Sequence, residues 1–287
     1  MATLKDLRVR IQSVKNTEQI TKTMKMVAAA KVRKARANCE NARPYAEKLQ
    51  GVLTHLASLV DKNSGPLLLS GRAEVKNVLV LAIGSDKGLC GSLNSALAKQ
   101  ALAFIEQQKA AGRQVKVVSV GSKVRDLLKK HAEIATHYDN FGKDLNYAQA
   151  KTIADYLLSA MENEEADQIN MFYSEFVSMV TQPPCNTVLA PFAAEEKASD
   201  EVTASVEYEP DEEAILKRLL PQNLAVQVYR GLLESNASEQ AARMTAMDNA
   251  TRNAGEMIKS LSIQYNRSRQ AAITSELIEI ISGAEAL

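Results

Sequence analysis

NVLVLAIGSDKGLCGSLNSAL, residues 77–97, decides the fold. An apolar run, Val78–Ile83, ends in a loop carrying Gly84, Gly88 and Gly91, and a helical pattern begins at once. Strand, tight turn and helix are the first half of a βαβ unit. The pattern repeats downstream. QVKVVSV (114–120) and QINMFYS (168–174) read as buried strands. SLNSALAKQALAFIEQQKAAG (92–112), SKVRDLLKKHA (122–132) and AQAKTIADYLLSAME (148–162) read as helices. QPPCN (182–186) reads as a turn, and TVLAPF (187–192) and VTASV (202–206) as edge strands. This central stretch is expected to be a Rossmann-like α/β domain, residues 75–208, with a mostly parallel sheet.

Both flanks read differently. Residues 1–60 hold one proline, Pro44, and one glycine, Gly51. Apolar or small residues recur at spacings of three and four: Leu4, Leu7, Ile11 and Val14, then Met24, Ala28, Ala35, Ala42, Tyr45, Leu49, Val52, Leu56 and Leu59. That is a heptad-like seam. A helix of this length would run roughly 85 Å at ~1.5 Å per residue, with Pro44 marking a kink or a break. Residues 210–287 are helical again. Pro221 is expected to end a short helix and to open a long one, whose lean seam is Leu224, Val228, Leu232, Ala242, Ala246, Met257, Leu261, Tyr265, Ala272 and Ile278. The expected architecture is therefore an α/β insert between two long terminal helices that form an antiparallel coiled coil. An insert of this size cannot cover such a length of helix, so a projecting rod is favoured over a bundle folded back on the insert.

Charge is distributed unevenly. The net charge is +1, yet residues 1–36 carry ten basic groups against Asp6 and Glu18, while residues 162–213 carry fourteen acidic groups against Lys197. Solvated faces explain most charge runs; an asymmetry this large points to separate charged partners at the two ends. In SELIEIISGAEAL (275–287), Leu277, Ile278, Ile280 and Ile281 point to nearly all sides of a helix. A helix apolar all round is normally buried. At a chain end, where the paired helix runs out, a partner's apolar cavity is the expected cover.

The chemistry of an enzyme is missing from the pattern. The glycine loop has no Gly-Lys-Ser/Thr and no GxGxxG, and Asp86 would repel a phosphate. It is expected to be a tight turn using glycines at φ > 0, with Ser92 or Asn94 capping the helix. His55, His131 and His137 have no metal-ligand spacing, and His55 is expected to be partly buried on the seam. Cys39, Cys90 and Cys185 form no CxxC pair, which suggests a reducing compartment. No catalytic residue, cofactor site or metal site is expected. No signal-peptide pattern opens the chain, and no run approaches the ~18 apolar residues that span a bilayer.

Several motifs, in order along the whole chain, resemble the gamma subunit of the F-type ATP synthase. They are LRVRIQSVKNTEQITKTMKMVAAAKVRKA (7–35), SDKGLCGSLN (85–94), SEQAARMTAMDNAT (238–251), YNRSRQAAIT (265–274) and the C-terminal ITSELIEIISGAEA (273–286). The resemblance implies a non-catalytic central rotor shaft, one copy per complex, that transmits torque between a membrane c-ring and the catalytic hexamer of alpha and beta subunits. It places residues 278–287, with Ile278 and Ile281, in the tip held by the apolar bearing, counts Thr274 and Glu276 of the C-terminal signature among the partner-binding residues, and sets Arg269 and Gln270 on a loop of one beta subunit. Met24 and Lys25 would lie on the part of the first helix that faces the shaft's collar. Lys87 and Cys90 would meet an acidic lever of beta. Glu207, Tyr208 and Glu209 would meet the epsilon subunit and the c-ring. Membrane contact would come only through the complex, at the cytoplasmic face of a bacterial inner membrane or the matrix face in mitochondria. Ser92 stands where many relatives have a second glycine, and the paired-cysteine insert of chloroplast relatives is missing, so thiol control is not expected. No transit peptide is evident, which favours a bacterial or an already mature chain. Two other readings of the same residues are a nucleotide-dependent enzyme on the α/β insert and a basic coiled-coil nucleic-acid binder. Sub-millimolar ATP binding by the isolated chain would favour the first, and steeply salt-dependent duplex binding the second.

Overall fold

The computed structural model describes residues 3–59, 65–72, 74–139, 145–192 and 212–285. In chain order the elements are α1 (Leu4–Leu59), a short α2 (Leu67–Ser70), β1 (Asn77–Ile83), α3 (Leu93–Ala110), β2 (Gln114–Val120), α4 (Ser122–Leu128), β3 (Glu133–Tyr138), α5 (Tyr147–Glu162), β4 (Gln168–Ser174), β5 (Pro184–Ala190) and α6 (Glu212–Glu285). The strands form one sheet in the order β3-β2-β1-β4-β5. The first four are parallel and β5 runs antiparallel on β4. A long N-terminal helix, a mostly parallel sheet and a long C-terminal helix are thus the architecture. The chain divides into two compact units, residues 1–30 with 243–287, and residues 31–242.

In the larger unit, β1 is the central strand and alternation along it makes the two faces. Val78, Val80 and Ala82 pack with Leu97, Ala101 and Ile105 of α3 and Val124 and Leu128 of α4. Leu79, Leu81 and Ile83 pack on the other face with Ile153 and Leu157 of α5, Leu53 and Leu56 of α1, and Leu224 and Val228 of α6. Asn146 and Gln149 close a reciprocal capping box at the start of α5.

Several expectations are corrected. EIATHY (133–138) is a strand, β3, that the pattern did not suggest; an edge strand alternating Ile, Thr and His is only half-buried and carries a weak apolar signal. Pro184, Cys185 and Asn186 are the start of β5 rather than a turn, and proline is tolerated there as the first residue of a strand. The edge strand expected over 187–192 ends at Ala190, and VTASV lies outside the described residues. Pro221 neither ends nor opens a helix: it sits inside α6, as Pro44 sits inside α1. Each lacks the N–H that would bond the carbonyl one turn earlier, at Lys217 and Glu40, and both of those residues are exposed.

The seam is also shifted on one flank. Tyr45 and Val52 are about half exposed, whereas Val32, Cys39, Ala46 and Leu53 are buried. A seam alternating three and four leaves two choices for every second position. The bulky Tyr45 drew the reading to the wrong one; its hydroxyl accepts from Gln222 Nε2 at 3.0 Å. Met257 is likewise exposed, and its neighbour Ile258 lies on the inner side.

In the smaller unit α1 and α6 pair antiparallel. Arg8 Nη2 donates to Tyr265 Oη at 2.8 Å, Thr251 Oγ1 donates to Thr21 Oγ1 at 2.8 Å, and Lys25 Nζ bonds Asp248 Oδ1 at 2.6 Å. Going from Arg8 to Lys25 and from Tyr265 back to Asp248 covers 17 residues on each helix. Carried on, this register sets Thr3 opposite Gln270. Over 273–282 every residue of α6 is exposed.

Candidate functional site

The glycine loop between β1 and α3 is closed on itself. Asn94 Oδ1 accepts from Ser85 N at 3.0 Å, and Asn94 Nδ2 donates to Ser85 Oγ at 2.7 Å and to Cys90 Sγ at 3.2 Å. Ser85 Oγ donates to Lys87 O at 2.8 Å. Asp86 Oδ1 accepts from Ser122 N, tying the loop to α4. Asn94 therefore latches the loop from within α3 instead of capping it, and Ser92, at the cap position, makes no side-chain cap bond. The left-handed residues are Leu89 (φ 63°) and Gly91 (φ 61°), not Gly84 or Gly88. Gly84 is needed for closeness: a Cβ there would lie 2.7 Å from Val124 Cβ. Cys90 is buried, with its thiol inside this web, so it shapes the loop and does not form its surface. Lys87 and Leu89 are the exposed side chains, Leu89 being 63% exposed on a backbone conformation that costs a non-glycine residue ~1 kcal/mol. A large apolar side chain displayed there is a contact feature that residue pattern alone did not single out.

In open α/β sheets, ligands occupy the crevice at the carboxyl ends of the strands where the strand order reverses. Here that point lies between β1 and β4, and the protein's own α6 fills it. Ser235 Oγ donates to Ile83 O at 3.2 Å and accepts from Ser174 N at 3.3 Å; Ser238 Oγ donates to Ser174 O at 3.0 Å. A Cβ on Gly231 would fall 2.7 Å from Met171 Sδ, so α6 rests on β4 almost backbone to side chain.

Just beyond β4, the backbone of Phe176 is gripped at both its N–H and its carbonyl. Glu234 Oε2 accepts from Phe176 N at 2.9 Å, and Arg43 Nη2 donates to Phe176 O at 3.2 Å. Arg43 Nε and Nη2 also donate to Glu234 Oε1, at 3.0 and 2.9 Å. The Phe176 ring is buried among Val32 and Ala35 of α1 and Ala237 and Ala241 of α6. Glu234 has no exposed surface. Burial, reinforced by a hydrogen bond to Glu234, pushes the nearby Cys39 thiol up to about 12, which leaves it inert at neutral pH.

Among the described residues no group of three His, Cys, Asp or Glu could hold a metal ion. A cavity of about 430 Å³ opens beside β5, lined by Gln50, Tyr173, Asn186, Phe192, Gln227 and Arg230 among others; it contains no phosphate-binding loop and no acid–base pair. No described helix is long and apolar enough to cross a membrane.

The remaining unusual surface is the end of α6, where Leu277, Ile278, Ile280 and Ile281 are 53–68% exposed. At about 100° per residue they share one broad face, with Glu276 and Glu279 on the other, so the expectation of apolar residues on nearly all sides is corrected. Comparison with known proteins gives this arrangement its context. The family model described as ATP synthase matches residues 3–287. The ATP synthase gamma chains of Pelagibacter ubique and Ruegeria pomeroyi are 46% and 49% identical over 291 aligned residues, covering all of both chains. The chain belongs to the ATP synthase gamma-chain family. Among solved structures, a chain of the Tetrahymena thermophila mitochondrial ATP synthase, from its central stalk and c-ring, superposes with a TM-score of 0.62 at 27% identity, over 80% of this chain and 99% of that one. A chain of the Euglena gracilis mitochondrial enzyme shares the fold at 20% identity, with a TM-score of 0.68 over 99% of this chain and 94% of that one.

The gamma-chain residues singled out from sequence lie in separate places. Met24 is half-buried on α1, and Lys25 holds the Asp248 carboxyl below its usual value through their hydrogen bond. Arg269, Gln270, Glu276, Ile278 and Ile281 are exposed on α6, and Thr274 Oγ1 donates back to Gln270 O at 2.9 Å. Glu207, Tyr208 and Glu209 lie outside the described residues. Arg43, Glu234, Ser235 and Ser238 were not singled out.

Proposed function

We infer that this chain is the central-stalk rotor of a proton-translocating F-type ATP synthase, carrying torque between a membrane c-ring and a hexamer of alpha and beta subunits. It is non-catalytic; ATP chemistry belongs to the beta subunits. The observation that carries the reading is the end of α6, where Leu277, Ile278, Ile280 and Ile281 bare a broad apolar face that no described part of the chain covers. Such a surface is an aggregation liability unless a partner covers it. An apolar bearing formed by the hexamer is the cover we propose, with Thr274, Glu276, Ile278 and Ile281 in it.

Arg269 and Gln270 would engage a beta loop just below the bearing, and Met24 and Lys25 would face the collar. Lys87, with Leu89 beside it on the loop that Cys90 shapes, would touch the acidic lever of beta. Glu207, Tyr208 and Glu209 would bind epsilon and the c-ring. The working division of the chain is a helix at 1–60, an α/β domain at 75–208 and a helix at 210–287. The complex would sit on the cytoplasmic face of a bacterial inner membrane, or the matrix face in mitochondria, with this chain peripheral. An asymmetric shaft presents a different face to each of three beta subunits, and contacts that differ between beta conformations shift their populations.

The test is reconstitution with alpha, beta, epsilon and the membrane sector. Vesicles containing the full chain should pump protons on ATP addition. Omitting it, or removing residues 276–287, should abolish or sharply reduce pumping. Undiminished pumping by a chain lacking both that tip and the Arg269 and Gln270 side chains would sink the site assignments.

A further inference from the structure

We propose that Arg43, Glu234, Ser235 and Ser238 form a torque joint, a set of directional bonds that fixes the rotational and axial setting of α6 and α1 on the sheet. The inference rests on the central-stalk reading and adds to it the residues through which twist passes from the α/β part into the helices.

Apolar packing cannot do this alone. The stripe by which α6 meets the sheet is Leu216, Leu220, Leu224, Val228 and Leu232, all buried and repeating every four residues. Sliding α6 by four residues, ~6 Å, sets leucine or valine where leucine or valine was. Burial energy is non-directional and would change little. Apart from Gly231, which fits against Met171 only at this height, the stripe therefore resists separation better than it resists slip. The polar set occurs once. Ser235 joins the ends of β1 and β4 through Ile83 O and Ser174 N, and Ser238 takes Ser174 O. Glu234 takes Phe176 N, and Arg43 takes Phe176 O, so the two peptide units that flank one residue are held, one by each helix. The Arg43–Glu234 bonds then close the ring from α1 to α6.

These contacts are angular as well as close. A turn or slide of α6 breaks them as a group and leaves a fully buried carboxylate unpaired. Phe176, wedged between the two helices, makes the grip mutual. The place is the strands' carboxyl end, which in relatives of this topology receives a ligand. Here it receives a shaft.

The experiment uses the reconstituted complex and reads protons pumped per ATP hydrolysed in the same vesicles, with the melting temperature of the full chain as a second measurement. Glu234→Gln keeps an acceptor for Phe176 and leaves Arg43 able to reach water, so it is the mildest way to cut the ion pair. Ser235→Ala with Ser238→Ala cuts the strand-end bonds. Both variants should hydrolyse ATP at near wild-type rates and pump several-fold fewer protons per ATP. Arg43→Lys should recover more pumping than Arg43→Gln. A lowered melting temperature with unchanged pumping per ATP would overturn the joint and leave only a structural role. Should a variant fail to assemble, Ser238→Ala alone decides, with the same two outcomes. A wild-type chain that supports no pumping would instead overturn the central-stalk reading, and the joint with it.

Discussion

Replacing Leu277, Ile278, Ile280 and Ile281 together by alanine separates a surface kept for a partner from one that merely ends the chain. These side chains are 53%, 58%, 68% and 57% exposed. Fully burying a leucine or isoleucine contributes ~1.5–3 kcal/mol, and somewhat over half of that remains available here, so each contributes ~1 kcal/mol on docking and the four together ~4 kcal/mol. At ~1.4 kcal/mol per tenfold, the variant should bind its hexamer about a thousandfold more weakly. The free chain should not notice. Exposed substitutions shift stability by at most ~0.5 kcal/mol each, and alanine favours a helix over isoleucine. The assay is competition between variant and wild-type chains for a limiting amount of alpha and beta subunits, beside a thermal melt of each chain followed by circular dichroism. Equal competition would refute the reasoning. So would a melt that falls in step with binding, because the side chains would then be packing on the protein itself.

Four further outcomes are expected. Gly51→Ala should stabilise the chain by ~1 kcal/mol in denaturant titration, since nothing lies within 4 Å of the added methyl and alanine is the better helix former. Gly231→Ala should instead destabilise by ~1–3 kcal/mol, because the methyl would meet Met171 Sδ at 2.7 Å and Met171 is buried. Asp167→Asn should cost ~2–3 kcal/mol at neutral pH, since the carboxylate accepts from Lys76 N, Asn77 N and Arg72 Nη1 at 2.7–2.9 Å. Burial pushes the Asp167 carboxyl up, but those three donors outweigh it and hold it below the ordinary 3.8. Its contribution is thus complete above that value and lost as pH falls through the lower folded one, so the variant's stability should fall less steeply in acid than the wild type's. Finally, thiol-reactive probes should label the folded chain slowly at pH 8. Cys39 is raised to about 12 and Cys185 to about 11, mainly by burial, leaving roughly one thiolate in ten thousand and one in a thousand. Rapid labelling before unfolding would contradict the packing around both.

How much of this was legible depended on how far away the deciding neighbour lies. The strands at 77–83, 114–120 and 168–174 are buried on both faces, so their apolar runs speak without context. β3 at the edge lacks that second face and was passed over. The helices were legible as helices, and the bare end of α6 as an anomaly, since both follow from local periodicity. The seam's correct flank was not, because Tyr45 and Ala46 differ only in what they meet. The stretch from Leu232 to Ala242 reads as a polar gap, yet Glu234, Ser235, Ser238 and Gln240 are all buried. Their partners stand up to 191 residues away, at Arg43, Ile83, Ser174 and Phe176. Polar residues buried by distant backbone carry no periodic mark. The glycine loop was half legible: its missing lysine excluded a phosphate site, but the latch formed by Asn94 and the display of Leu89 required the folded turn.

The equal steps of α1 and α6 restrict how this protein can change in length. Each residue added to an α-helix turns everything beyond it by about 100°. One residue gained in either partner would carry Thr21, Lys25 or Arg8 away from Thr251, Asp248 or Tyr265 along the rest of the pair. Seven residues, close to two full turns, nearly restore the facing side, but only if the other helix gains seven at the matching height. Insertions in the paired stretch are therefore admissible as twins, in whole heptads. A lone insertion is tolerated past Ala272, where α6 runs exposed over 273–282.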